Sequence, residues 1–174
     1  RDMAGNTTSI IYDSTIYDVT APTSPTIAIT DNYDYLNDIT PDITLSAVNA
    51  DSVQFNINGA GWSTWLPYAT LKNDLDISAG GDGLKIVEAI YRDKAGNISA
   101  TVYDSMYLDR VAPAPVSIII TDNQDFTSDA TPDITLNATD ADSMAFSFDN
   151  VSWSAYAPYS TSENSLDISA GGNG

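Results

Sequence analysis

The chain has no cysteine and no histidine among its 174 residues. The first absence excludes disulfides, so thiols give no reading of redox compartment. The second removes Ser-His and Cys-His catalysis and the commonest metal-binding side chain. Cations are scarce as well: six Lys plus Arg stand against 24 Asp plus Glu, a formal net charge of −18. A surface of that sign repels phosphate groups, which argues against nucleic acid and anionic membrane as partners. No apolar run approaches the roughly 18–20 residues that span a bilayer, so no membrane insertion is expected in this segment. No secretory leader is visible, and a chain that begins within a repeat would have lost one.

Glutamate is nearly missing too: 22 of the acidic residues are Asp, and Glu88 and Glu163 are the whole Glu complement. Aspartate favours turns, where its short side chain reaches nearby backbone N–H groups, and it is a common calcium ligand in loops. Paired carboxylates also cleave glycosides. Here, however, the same Asp set occurs twice and Glu, the usual raised-pKa acid, is almost lacking, so the chain is not read as an enzyme.

What is present is a repeat. Arg1-Asp2-Met3-Ala4-Gly5-Asn6 returns as Arg92-Asp93-Lys94-Ala95-Gly96-Asn97, and Asp18-Val19-Thr20-Ala21-Pro22 as Asp109-Arg110-Val111-Ala112-Pro113, at an offset of 91 residues. Residues 1–83 overlie 92–174 without a gap, with roughly half the positions identical. Such self-similarity fixes the unit before any fold is considered.

Within a unit, Ile43, Leu45 and Ala47 alternate with polar neighbours, as do Val53, Phe55 and Ile57. Ile134, Leu136, Ala138 and then Met144, Phe146, Phe148 keep the pattern in the second copy. Period-two alternation with one buried face means strands, and helical spacing is absent. Strands are expected at about 25–30, 42–48, 52–58, 62–70, 74–78, 84–92 and 98–108. Seven short antiparallel strands in such a unit make an all-β, two-sheet sandwich of immunoglobulin-like or fibronectin-III-like type. On this division residues 1–19 are the last turn and strand of a preceding repeat, 20–110 a complete repeat, and 111–174 a following repeat that stops before its last two strands. Strand donation, with residues 1–18 of one molecule completing the last repeat of another, is a further reading. A donated last strand normally pairs with the sixth, which is itself lacking, so a window from a longer array is preferred.

The Asp-x-Ala-Gly-Asn turn, the Asp-x-x-Ala-Pro joint and the segments Trp62-Ser63-Thr64-Trp65-Leu66-Pro67-Tyr68 and Trp153-Ser154-Ala155-Tyr156-Ala157-Pro158-Tyr159 carry a family likeness. Together they resemble the bacterial immunoglobulin-like tandem repeats of very large adhesins and surface filament proteins, over essentially the whole chain. The resemblance implies an extracellular, cell-surface stalk or filament in which repeats act as spacers beside neighbouring repeats, often stiffened by calcium between domains. The stretch between the first two strands departs from it in being unusually rich in Asp.

Strand direction places the carboxylates. The loops after the second, fourth and sixth strands share the pole at which the chain enters the domain. For the complete repeat this gathers Asp18, Asn49, Asp51, Asp93 and Asn97; for the next it gathers Asp109, Asp140 and Asp142. Clustered carboxylates repel unless a cation sits among them, and calcium accepts six to eight oxygen ligands in irregular loops. These residues are candidate inter-domain calcium ligands, with turn-capping on a solvated surface as the plainer reading. A second, weaker cluster is Asp31, Asp34 and Asp38, repeated as Asp122, Asp125 and Asp129. Trp62, Trp65 and Tyr68 would suit a sugar-stacking platform in a module that binds a glycan or a surface receptor; packing against the sandwich is the expectation. Gly80-Gly81-Asp82-Gly83 supplies positive-φ positions for a turn rather than a phosphate cradle. Asn-x-Ser/Thr sequons at Asn6, Asn97, Asn137 and Asn150 are about as many as this composition gives by chance.

Overall fold

Where apolar and polar residues alternate, the chain is extended. The computed structural model describes residues 1–29, 34–120 and 126–169, and these are nearly all β, with several antiparallel sheets and essentially no helix. The chain divides into two compact units, residues 1–110 and 111–174.

In unit 1, β1 (Thr23–Ile29), β3 (Ile43–Val48) and β6 (Leu71–Lys72) form one sheet in the order β1-β3-β6. The second sheet takes β2 (Tyr35–Leu36), β4 (Ser52–Ile57), β5 (Leu66–Pro67), β7 (Gly83–Arg92) and β8 (Val102–Leu108) in the order β2-β8-β7-β4-β5. Ile27, Ile43, Leu45 and Ala47 from the first sheet meet Val53, Phe55, Val87, Ala89, Tyr91 and Met106 from the second in one buried cluster. The two sheets thus pack face to face as a sandwich, each strand turning alternate side chains inward. Asn58 and Gly59, both at positive φ, make the tight turn after β4, closed by Ala60 N–H to the Ile57 carbonyl at 3.0 Å. Asn-Gly is the residue pair that such a turn favours.

Four expectations are corrected. The strand expected at 74–78 is absent: pairing with β3 occurs earlier, at Leu71 and Lys72. The reason is local, since the Asp76 carboxylate accepts the Ser78 N–H at 2.7 Å and bends the chain, while Ile77 still plugs the core and donates its N–H to the Ile39 carbonyl at 2.9 Å. The segment 62–70 contracts to β5, and the last strand starts at Val102 rather than at 98. Finally, β2 pairs parallel to β8, Tyr35 opposite Tyr107 and Leu36 opposite Leu108, which makes eight strands among the described residues of unit 1.

Unit 2 carries β9 (Val116–Ile120), β10 (Ile134–Ala138), β11 (Ser143–Met144), β12 (Ala157–Pro158) and β13 (Ser162–Glu163). Their orders, β13-β10-β9 and β11-β12, repeat β6-β3-β1 and β4-β5. Its core is thin. Every residue of β9 is exposed, and Pro132 and Ile134 are the buried apolar side chains among its described residues.

Candidate junction site

The turn after β7 is built by one carboxylate. Asp93 Oδ1 accepts the N–H groups of Gly96 at 2.7 Å and Asn97 at 2.8 Å, and Oδ2 accepts the Asn97 side-chain amide at 2.9 Å. Gly96 stands at φ 97°, a conformation that costs glycine nothing sterically. The Asn97 amide bond, with the backbone N–H groups behind it, holds the Asp93 carboxyl below its ordinary range. The matching block at the start of the chain, Asp2 to Asn6 with Met3 in place of Lys94, makes the same turn with no strand around it. Asp2 Oδ1 accepts the N–H of Ala4 at 2.9 Å and of Asn6 at 2.8 Å, and Oδ2 accepts the Asn6 amide at 2.8 Å. Asp2 is likewise held below the ordinary carboxylate range, chiefly by Asn6.

In unit 1 that turn grips the incoming chain. Asn97 donates its second amide hydrogen to the Asp18 carbonyl at 3.1 Å, Asp18 Oδ1 accepts the Thr20 N–H at 2.9 Å, and Pro22 is buried just beyond. Asp18, Asn49, Asp51 and Asp93 line one cavity of about 330 Å³ together with Ala50 and Lys94. The pole expected from strand direction is therefore where these four residues and Asn97 meet. Asn49 stands at φ 64°, and Asp51 is fixed by its backbone, its N–H to the Arg92 carbonyl at 2.8 Å and its carbonyl to the Tyr68 N–H at 3.0 Å.

Chemically the cavity is a mixed one. Asp93 spends both oxygens on the turn, Asp18 spends one on Thr20, and Lys94 brings a cation to the rim. Among the described residues no three carboxylates converge closely enough to hold a metal ion. Asp109 lies in unit 1, where its N–H donates to the Leu36 carbonyl at 2.8 Å. Asp140 and Asp142 lie in unit 2, Asp140 at φ 64° like its counterpart Asn49.

Of the second cluster, Asp31, Asp122 and Asp125 fall outside the described residues. Asp38 Oδ1 accepts the Thr40 N–H at 2.8 Å, and Asp129 Oδ1 the Thr131 N–H at 2.9 Å, so both carboxylates fold back on their own backbone. Asp34 contributes its carbonyl, which accepts the Tyr107 N–H at 2.8 Å beside β2.

The aromatic expectation fails in part. Trp65 is half-buried with the Arg92 guanidinium 4.2 Å over its ring, yet Trp62 is 41% exposed and Trp153 62% exposed. Sequence reasoning also missed the pair at the far end of β8, where Asp82 takes the Arg110 Nε at 2.6 Å and its backbone N–H at 3.0 Å. That side-chain bond from Arg110 lowers the Asp82 pKa. An acidic residue inside the Gly-rich turn and a basic one in the joint were the available signal. No protein-family model and no curated protein matches the chain.

Proposed function

We propose that the chain is a segment of tandem immunoglobulin-like repeats whose work is mechanical: it gives length and stiffness to an extracellular stalk, adhesin or surface filament. The observation that carries the reading is the repeated turn and joint. One Asp-x-Ala-Gly-Asn block closes on itself at Asp2–Asn6 and again at Asp93–Asn97, and in the second case its Asn side chain ties down the chain entering the same unit. A spacer needs that tie, because a free hinge at each joint would let an array coil. The sheet orders β1-β3-β6 and β2-β8-β7-β4-β5, with β2 parallel to β8, support the immunoglobulin-like reading. Partners on this view are neighbouring repeats. Calcium adds a second tie, held by the Asp18 and Asp51 carboxylates, Asn49 and loop carbonyls rather than by Asp93.

Backbone ¹⁵N relaxation tests the tie directly. Residues 18–22 should show order parameters like those of β7, near 0.85, and Asn97→Ala should lower them. Values below about 0.6 in the unaltered chain would mean a hinge and sink the spacer reading. The calcium component is separable, since it requires a higher melting temperature in calcium than in chelator at equal ionic strength. At 100 times Kd the gain is about 2.7 kcal/mol.

Exposure of Trp62 and Trp153 favours a second reading, a module that binds a glycan or surface receptor through aromatic stacking. Saturable quenching of tryptophan emission by a soluble polysaccharide would support it.

A further inference from the structure

The central strand of the larger sheet, β7, has two unlike faces. Lys85, Val87, Ala89 and Tyr91 enter the core of unit 1, while Leu84, Ile86, Glu88, Ile90 and Arg92 point away from it. Residues directly opposite share the outer face: Tyr107 beside Leu84, Tyr103 and Asn56 on the two sides of Glu88, and Trp62 bridged to Asn56. Tyr35 stacks on Tyr107 at 5.3 Å. Leu84, Ile86, Trp62 and these three tyrosines are all exposed. The other sheet shows an ordinary solvated face, since β1 and β3 turn outward Thr26, Ala28, Thr44, Ser46 and Val48, small residues of which three carry hydroxyls.

Large apolar and aromatic side chains gathered on one face mark an interaction surface. Among the outward residues of β2, β4, β5, β7 and β8, Glu88 and Arg92 alone are charged. Tyrosine and tryptophan with one Arg and no Lys or Asp is the composition of a protein interface.

Charge selects the occupant. A chain of net charge −18 repels its own copies, but through this face a copy approaches without setting carboxylate against carboxylate. The Asn56 amide donates to Glu88 Oε2 at 2.6 Å and the Arg92 guanidinium lies over Trp65, yet neither Glu88 nor Arg92 is among the ion pairs of the described residues. They flank Ile90 symmetrically along β7. A two-fold axis at Ile90, lying between facing sheets and perpendicular to the strands, sets Arg92 of each copy against Glu88 of the other. An axis along the strands would set Arg92 against Arg92 and Glu88 against Glu88. Four inter-strand spacings of about 4.8 Å and ten residues of β7 at about 3.3 Å make a face about 20 Å by 30 Å, so pairing two of them covers about 1,200 Å² in all. That reaches the lower bound of specific interfaces, so the dimer is a weak one.

We propose that the outer face of this sheet docks the same face of a second copy, antiparallel, with Ile90 on the two-fold axis and two reciprocal Arg92–Glu88 ion pairs beside it. The pairing rests neither on the spacer role nor on calcium.

Sedimentation velocity of the intact chain tests it from micromolar to millimolar concentration. The chain should pass from monomer to dimer across that range. Glu88→Arg and Arg92→Glu each put like charges in both contacts and should weaken the dimer more than about tenfold. An equimolar mixture of the two variants restores both ion pairs and should dimerise again, which no folding defect in either variant could produce. A chain that stays monomeric overturns the proposal, even where a soluble polysaccharide saturably quenches its tryptophan emission, because the face would then belong to a glycan. Association unchanged in both variants overturns it too, since another surface would carry the contact. So does a mixture that associates no better than either variant alone.

Discussion

An aspartate carboxylate reaches the N–H two residues ahead of it, and the bond recurs along this chain; Glu163, one methylene longer, makes the same bond to the Ser165 N–H at 2.7 Å. Asp18 accepts from Thr20, Asp38 from Thr40, Asp76 from Ser78, Asp129 from Thr131 and Asp167 from Ser169, each through Oδ1 at 2.7–2.9 Å. Asp149 collects the N–H groups of Ser152 and Val151, which pull its pKa down to about 2. The Asp richness was legible in the sequence, and so was the pole that gathers Asp18, Asn49, Asp51 and Asp93. Which oxygens are already spent was not, because that depends on backbone geometry inside each loop. Asp93 gives the sharpest test. Its folded pKa lies below the usual 3.8, so its contribution to stability is complete above that value and is lost as pH falls through the folded pKa. Denaturant midpoints of unit 1, followed by far-UV circular dichroism, should therefore fall more steeply with acid in the native chain than in Asp93→Asn. Asn97→Ala removes the two side-chain bonds to Asp93 and Asp18 and should cost about 1–2 kcal/mol at neutral pH. A glycan on Asn97 would take one of the same two hydrogens, so its sequon is poorly placed for modification.

At the scale of elements, β7 is the spine of unit 1. It pairs with β4 on one side and β8 on the other, and its inward residues Lys85, Val87, Ala89 and Tyr91 are all fully buried. Two of them reach across to backbone elsewhere: Lys85 Nζ donates to the Ala79 carbonyl at 2.7 Å, and the Tyr91 hydroxyl donates to the Thr26 carbonyl of β1 at 2.5 Å. The second bond links the two sheets. Burial pushes the Tyr91 hydroxyl pKa up, so it stays a donor throughout the working range. Tyr91→Phe keeps the ring against Tyr68 and strands the Thr26 carbonyl, for an expected loss of about 1–3 kcal/mol. For a domain this size that lowers the melting temperature by about 4–8 °C per kcal/mol, measurable by calorimetry. An unchanged transition would mean that apolar packing, with the bond from the Ile29 N–H of β1 to the Asp104 carboxylate of β8 at 2.8 Å, holds the two sheets without it. Long alternation is why β3, β4 and β7 could be read directly. β2 could not be: it has two residues, and its parallel partner lies more than 70 positions away and leaves no local trace. Leu71 and Lys72 were overlooked for a similar reason, since Leu75 and Ile77 advertised a strand that the Asp76 turn interrupts.

The whole molecule is an anion with few internal counter-ions. Its net charge is −18, and among the described residues the ion pairs are Lys72 with Asp74 and Arg110 with Asp82. Hydrogen bonds from N–H to Asp are local and nearly insensitive to ionic strength, whereas repulsion between unpaired carboxylates acts over the Debye length. That length falls from about 30 Å at 0.01 M salt to about 10 Å at 0.1 M. Sodium chloride should therefore raise the melting temperature across this range, opposite to a protein held by surface ion pairs. The rise should be larger for unit 2, which has no Lys or Arg and little core to resist the repulsion. Scanning calorimetry of the intact chain should resolve two transitions, the lower belonging to unit 2 and moving further with salt. Adding calcium at matched ionic strength then separates screening from binding. Screening moves both transitions, while calcium held by Asp18, Asn49 and Asp51 moves the upper one and loses its effect in Asp51→Asn. A melting temperature that falls with sodium chloride would show that ion pairing, rather than carboxylate-capped turns and apolar strands, sets the stability of this chain.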